Sequence, residues 1–370
     1  MAEKLKILEM TAHHKLKSGT PILMARLAIG LQRAGHHVTC LFNGESEDFD
    51  MLRQEGVAVK VVPSDRVRVN GSTAKSILRL RSFLRRGKFD IVHAHDSQAL
   101  DNLLLASVGL NLNIVVSRGF MKKLNTYNAM KYKLKKVRRI FVVSKAVQER
   151  MQESGKIGED NKFFVFHGML DKQAFEMTST LREELGISPQ ERVIGIVTNE
   201  SDIKGADFLL HAFEKILVAG STAKLVLAGV SKAYVEKHVQ NKTVLEHIYP
   251  LGFRKDIPNI LKGLDLFVFT SRGEEALGLT IAEAQMAGVP VIVMKSGGSA
   301  EIVQEGVTGF VIEKANITHL QERIEWMLSH DTERVEMGEA AKKYAEVAFS
   351  MAEATRKAEE VYYSLCKNLR

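Results

Sequence analysis

Short apolar runs alternate with longer amphipathic stretches along the whole chain. In the first half the runs fall at 5–10, 37–42, 57–62, 90–94, 113–117, 139–144 and 163–167. They are rich in Val, Ile, Leu and Phe and are bounded by polar residues or Gly. Between them, stretches such as 21–34 and 72–86 carry apolar residues at helical spacing. Strand, helix, strand at this interval predicts a parallel sheet with helices on both faces. The second half repeats the scheme. Strands are predicted at 193–198, 224–228, 266–270, 289–294 and 310–312, and helices at 204–218, 279–287 and 316–329. Two closing helices are predicted at 332–348 and 351–369. The polar stretch 171–192, which contains Ser188-Pro189, separates the halves. The expectation is therefore an α/β protein of two doubly wound domains, 1–170 and 171–350, facing each other across a cleft. In open parallel sheets ligands lie beyond the carboxyl ends of the strands. Residues just after predicted strands are the first place to look for function.

Composition supports this picture and removes others. At 370 residues the chain is longer than one hydrophobic core usually sustains. Hydrophobic residues make up 45% and charged residues 26%, which excludes disordered and collagen-like proteins. No apolar run approaches the roughly 20 residues that span a bilayer. Cys40 and Cys366 are the two cysteines, too few for a disulfide framework or a four-cysteine zinc site. The opening residues are too short and too charged for a secretory leader, so a cytoplasmic location is expected.

Charge divides the chain unevenly. Residues 1–170 hold 29 Lys and Arg against 15 Asp and Glu, whereas 171–370 hold 23 against 29. The excess gathers at Lys75, Arg79, Arg81, Arg85, Arg86 and Lys88, and again at Lys122, Lys123, Lys131, Lys133, Lys135, Lys136, Arg138 and Arg139. A solvated helix face explains such segments as well as a surface for polyanions does. Nucleic acid is disfavoured as a partner. Aromatics are only 7%, with no stacking platform among the basic residues, and no zinc-finger spacing occurs.

The strongest chemical signal runs from Glu275 to Pro290, as Glu-Ala-Leu-Gly-Leu-Thr-Ile-Ala-Glu-Ala-Gln-Met-Ala-Gly-Val-Pro. A strand ends, a polar loop carries Glu275, Gly278 permits close backbone approach, and a helix begins with Glu283 in its early part. Backbone N–H groups at a helix start attract anions. Carboxylates beside them suit a ligand that also bears hydroxyls, although an acid near a helix start also simply favours the dipole. Weaker signals are His93, His95 and Asp96 after a strand. The two histidines share a strand face, but no third metal ligand stands out in the sequence.

The segment from Glu275 to Glu283 resembles the E-x7-E signature of the retaining glycosyltransferases of family four, which have the GT-B fold. Tyr249-Pro-Leu-Gly-Phe-Arg-Lys-Asp-Ile-Pro258, Leu266-Phe-Val-Phe-Thr-Ser271, Ser296-Gly-Gly-Ser-Ala-Glu301 and Gly306-Val-Thr-Gly309 extend the likeness. Before residue 170 it is looser, through Asp90-Ile-Val-His-Ala-His95 and Phe141-Val-Val-Ser144.

The resemblance implies roles. Glu275 would contact a donor sugar and Glu283 ribose hydroxyls. Ala276, Leu277, Gly278 and Leu279 would surround the sugar and diphosphate, and Lys204, expected at a helix start, would neutralise the leaving group. Ser18 and Gly19 would approach the phosphates from the first domain, onto which the closing helix, 351–370, would pack back. Asn199, Phe253 and Arg254 complete the expected donor site, and His95 and Arg118 the acceptor site. The implied activity is hexosyl transfer from a nucleoside-diphosphate sugar to an anionic glycolipid or lipopolysaccharide intermediate, peripheral to the inner membrane face. No cofactor is implied and no essential metal.

In two places the sequence departs from the pattern. Asn199 stands where the family usually has an Arg that steadies the diphosphate, and Lys17, Arg118, Arg254 or Arg272 are the residues that could substitute. Arg118-Gly119 stands where many members have a His. These departures leave open a nucleotide-sugar hydrolase or epimerase of the same fold, and a non-catalytic nucleotide-sugar-binding relative.

Overall fold

The computed structural model describes residues 3–16, 19–63, 71–154, 157 and 162–367. The chain divides into two units, Met1–Met169 together with Met351–Arg370, and Leu170–Ser350.

The first unit contains seven strands: β1 (Lys6–Met10), β2 (His37–Phe42), β3 (Ala58–Val61), β4 (Ile91–Ala94), β5 (Asn113–Arg118), β6 (Val137–Val142) and β7 (Phe163–Val165). They lie in the order β3-β2-β1-β4-β5-β6-β7, and every neighbouring pair is parallel. All four residues of β4 are buried, as a strand covered on both faces requires. On one face pack Met24, Leu27, Ala28 and Leu31 of the helix Gly19–Arg33, with Ala354, Ala358, Tyr362 and Leu365 of the helix Met351–Lys367. Those last four positions recur at helical spacing, so the final helix presents one apolar stripe to this core. The two helices approach closely at Gly30, where a Cβ would stand 2.1 Å from Thr355 Oγ1.

The second unit holds β8 (Val193–Val197), β9 (Lys224–Ala228), β10 (Ile248–Gly252), β11 (Leu266–Phe269), β12 (Val291–Met294) and β13 (Gly309–Ile312). Their order is β10-β9-β8-β11-β12-β13, again all parallel. Its core is built by Phe208, Leu209, Ala212, Phe213 and Ile216 of the helix Ala206–Val218, with Leu320, Ile324 and Met327 of the helix Ile317–Ser329. The sequence pattern had not marked β10 as a strand. Pro250 and Gly252 interrupt its run, and the register shifts between them. As an edge strand it tolerates both.

Each sheet reverses its order of construction once, between β1 and β4 and between β8 and β11. At such switch points the loops leaving adjacent strands part and open a crevice. Among the described residues no helix is long and apolar enough to cross a membrane.

Replacing Gly30 by Val forces side-chain bulk between the helices Gly19–Arg33 and Met351–Lys367. Overpacking of this kind costs about 1–3 kcal/mol. Urea denaturation should register that loss, and hydrogen exchange should rise first in Met351–Lys367. An unchanged unfolding midpoint would contradict the close approach.

Candidate active site

At the switch point of the second unit, β8 and β11 pair through Leu266 with Ile194 and Phe267 with Gly195. The loops that leave them are therefore neighbours. The carbonyl of Ile203, beyond β8, accepts the backbone N–H groups of Arg272 (2.7 Å) and Gly273 (3.0 Å), beyond β11. Thr270 Oγ1 donates to the carbonyl of Gly205 at 2.8 Å. Gly205 has φ of 71°, and a Cβ there would stand 2.1 Å from the Thr270 carbonyl oxygen. Only glycine fits this crossing.

The stitching delivers Lys204 to Glu275. Lys204 Nζ lies 2.7 Å from Glu275 Oε1, to which Ser271 Oγ also donates at 2.6 Å. Lys204 does not open the helix, as its sequence position suggested. It ends a 3₁₀ turn, Asp202–Lys204, and left-handed Gly205 separates it from the helix Ala206–Val218.

The opposite side of Glu275 is held by the Ser296-Gly-Gly-Ser299 turn. Gly298 N–H donates to the Glu275 carbonyl at 2.9 Å. Ser296 and Ser299 cap the turn reciprocally, and Ser296 Oγ also donates to the Gly273 carbonyl. Gly297 has φ of 55°, and a Cβ there would lie 2.2 Å from the Glu275 carbonyl oxygen.

Beyond Glu275, half-buried Ala276 and buried Leu277 lead to Gly278, with φ of 82°, which precedes the helix Leu279–Met286. No side chain caps that helix, and its first turn carries no acid. Its leading N–H groups therefore lack the usual side-chain acceptor. Leu279 and Glu283 are half-buried within it.

Two arginines near these loops are committed elsewhere. Arg272 grips both oxygens of Asp207 (2.9 and 3.0 Å) and the Asp202 carbonyl. Arg254 makes paired bonds to Asp256 (2.7 and 2.6 Å) and to Glu184 (2.6 and 3.1 Å). Those bonds push the Arg254 guanidinium up, and hold the Asp256 carboxyl well below the usual carboxylate range. Asn199 Oδ1 accepts from Ser201 N–H at 3.1 Å. It caps its own turn. Phe253, beside Arg254, is 83% exposed.

In the first unit, Ser18 and Lys17 lie outside the described residues, and Gly19 is the exposed first residue of its helix. Arg118 is buried at the end of β5. It donates to the Lys122 carbonyl and stacks over Phe120 at 4.1 Å, and among the described residues its Nε meets no partner. His95 is buried too, and here the structure adds a buried carboxylate that the sequence did not show. Glu9, facing His93 across β1 and β4, brings its carboxylate among the two imidazoles. His95 Nε2 bonds Glu9 Oε2, His93 Nδ1 lies 2.7 Å from Tyr362 Oη, and Tyr362 donates to Glu9 Oε1 at 3.2 Å. Burial, with His95 alongside, pushes His93 well below the ordinary imidazole value. Glu9 had a readable signal, since it is an acid inside a run otherwise apolar enough to be a buried strand. Tyr362 had none, because nothing local places the final helix against β1.

Comparison with known proteins bears on both units. The model for Glycosyltransferase Family 4 matches residues 18–169, and that for Glycosyl transferases group 1 matches residues 177–344. The chain is 26% identical over 337 residues to the UDP-Gal:alpha-D-GlcNAc-diphosphoundecaprenol alpha-1,3-galactosyltransferase of Escherichia coli, covering 83% of this chain and 86% of that protein. It is 26% identical over 233 residues to the N-acetyl-alpha-D-glucosaminyl L-malate synthase of Bacillus anthracis, 61% of this chain and 60% of that protein. Among solved structures, a glycosyltransferase from Rickettsia africae superposes with a TM-score of 0.86 at 20% identity, covering 99% of this chain and 100% of the other. HepE of Anabaena, solved with UDP, gives 0.82 at 21%, covering 97% and 100%.

Gly297→Ala would press a methyl group against the Glu275 carbonyl. The expected result is a lowered melting temperature and a displaced Glu275 loop, seen by crystallography or by exchange at residues 273–279. A variant with unaltered stability and exchange would show that this turn does not hold Glu275.

Proposed function

The chain belongs to the family-four glycosyltransferases and has their GT-B fold, and on that premise we propose that it moves a sugar from a nucleoside-diphosphate sugar to a hydroxyl of its acceptor with retention of configuration. The observation that carries this reading is the Lys204–Glu275 pair, 2.7 Å apart beside a helix start without a side-chain cap. A donor diphosphate draws Lys204 away from Glu275 and lies against the N–H groups around Gly278. Glu275, released from Lys204, accepts hydrogen bonds from sugar hydroxyls, and Glu283 takes the ribose. As the bond to the anomeric carbon breaks, charge builds on the diphosphate, where Lys204 and the helix start already stand. Preorganised donors of this kind act on the transition state. In this reading they do the work of a divalent cation, so transfer persists in EDTA. UDP-sugars are the first donors to test. HepE was solved with UDP-glucose, and the Escherichia coli relative is named for UDP-Gal.

A second reading is favoured by Asn199. Neither Arg254 nor Arg272 is free to replace the missing arginine, since each is held by carboxylates. A chain that binds nucleotide sugar without transferring it is consistent with that arrangement.

We assign the acceptor to the first unit and take it to be an anionic glycolipid or lipopolysaccharide intermediate at a membrane surface. The structure changes which lysines support this. Lys131 is buried and paired with Asp101 at 2.7 Å, and Lys136 turns inward to the Ser107 carbonyl. Lys122, Lys123, Lys133 and Lys135 remain exposed. Among them Phe120, Tyr127, Met130 and Leu134 also face solvent, the last three at helical spacing. Apolar side chains ringed by lysines suit an anionic bilayer, where each lysine contributes about 1 kcal/mol.

Lys204→Ala and Glu275→Ala should each lower transfer about 100-fold or more in a radiolabelled-sugar assay, while the melting temperature stays near that of the parent. Full activity in both variants would sink the assignment. Donor binding without turnover, restored to turnover by Asn199→Arg, would favour the second reading. Replacing Lys122, Lys123, Lys133 and Lys135 together by Gln should release the protein from anionic vesicles with little effect on stability. Lys131→Gln should do the opposite, because it strands Asp101 at a cost of about 3 kcal/mol. Unchanged sedimentation with vesicles would remove the membrane surface.

A further inference from the structure

The switch point of the first unit is occupied as densely as that of the second, but by buried groups. Glu9 of β1 is fully buried, as are His93 of β4 and Tyr362 of the final helix, and His95 just beyond β4 is 6% exposed. An unpartnered carboxylate there would be very costly. One placement of protons satisfies the chain of contacts. Ser117 Oγ donates to His93 Nε2 (2.8 Å), His93 Nδ1 donates to Tyr362 Oη (2.7 Å), and Tyr362 donates to Glu9 Oε1 (3.2 Å). From the other side His95 Nε2 donates to Glu9 Oε2.

Such a network could be purely structural, but its last member reaches outward. His95 lines a cavity of about 30 Å³ together with Thr20, Ser117 and Gly119, walled by Leu27, Phe141 and Phe166. A single water needs roughly 10–15 Å³ on this kind of measure, so the space suits one hydroxyl and the carbon that bears it. With Glu9 ionised and His95 neutral, the bond between them places the imidazole proton on Nε2. With the proton on Nε2, the Nδ1 lone pair is free to accept. Among the described residues no hydrogen-bond donor meets that nitrogen.

We propose that His95 receives a hydroxyl-bearing carbon of the acceptor, a sugar hydroxymethyl or similar alcohol, and that Glu9 and Tyr362 are positioning residues that hold its accepting edge toward the cavity. This rests on the acceptor being taken by the first unit. Chemically it asks only for a neutral alcohol group, with an apolar wall against its carbon and His95 Nδ1 against its proton. Glu9 acts through His95, since it is fully buried and is not among the residues that line this cavity. Tyr362 ties the final helix to the same carboxylate.

The full-length chain labelled with ¹⁵N allows a direct test. Long-range proton–nitrogen spectra, with His95 assigned by its loss in His95→Asn, should show a protonated Nε2 and a bare Nδ1. Glu9→Gln, whose amide can donate to Nε2, should move the proton to Nδ1. Titration with glycerol and with methyl α-D-galactopyranoside should shift the Nδ1 signal, and the 6-deoxy sugar should bind at least tenfold more weakly. In the transfer assay Glu9→Gln should raise acceptor KM about tenfold and leave donor KM unchanged. A proton on Nδ1 in the parent protein, or no response to either alcohol, overturns the inference. So does stoichiometric Zn²⁺ binding that shifts His93 and His95 together, which would make the cluster a metal site. Nucleotide binding that depends on Lys204 while His95 ignores the alcohols sinks this inference and leaves the transferase reading intact. Transfer that survives Lys204→Ala does the reverse.

Discussion

The carbonyl of Ile203 is the contact on which the meeting of Lys204 and Glu275 depends. It accepts two backbone N–H groups from the loop beyond β11 and so fastens the turn that carries Lys204 to the loop that carries Glu275. Each such bond adds only about 0.5–1.5 kcal/mol of net stability. Their value lies in position, because Lys204 and Glu275 come from segments 71 residues apart in sequence. The parallel pairing of β8 with β11 brings the segments together, and the glycines at 205 and 297 allow backbone to approach backbone. Without those approaches the lysine and the glutamate would share a crevice but not a geometry.

The energetics of the two switch points differ in a way that suits different tasks. The ion pair of Lys204 and Glu275 is a single contact of 2.7 Å. An arriving anion displaces it cheaply. Arg254 and Arg272 are locked by bidentate carboxylates, and giving those up would cost far more. In the proposed reading, anion binding therefore falls to one lysine and one helix start. Glu9, His93 and Tyr362 cannot exchange partners in this way, because any group left alone would be buried and unpaired. They form a fixed base, and His95 and Ser117 at the edges of the network line the cavity.

Much of this was legible before any coordinates. Strand runs such as 37–42 and 224–228 were read to the residue, because a strand buried on both faces must be continuously apolar. β10 escaped, since Pro250 and Gly252 are allowed at an edge that sequence alone does not reveal. Lys204, Glu275 and Gly278 could be named from their segment, but not the 2.7 Å contact between the first two, which depends on the non-local stitching through Ile203. Lys131 reads as a surface charge in a lysine-rich run and is in fact buried on Asp101, a partner that only the packing of two helices provides. The same holds for Glu9 and Tyr362, 353 residues apart and in hydrogen-bond contact.

The Lys204–Glu275 pair is proposed to mark a metal-independent site for a nucleoside diphosphate. Thermal shift in EDTA with UDP, GDP, ADP, CDP and their sugar conjugates tests it most directly. A ligand at 100 times its Kd adds about 2.7 kcal/mol, enough to move the melting curve visibly. One nucleotide should stand out in the parent protein and lose its effect in Lys204→Ala. No shift with any of them, or a shift that survives loss of Lys204, would contradict the account.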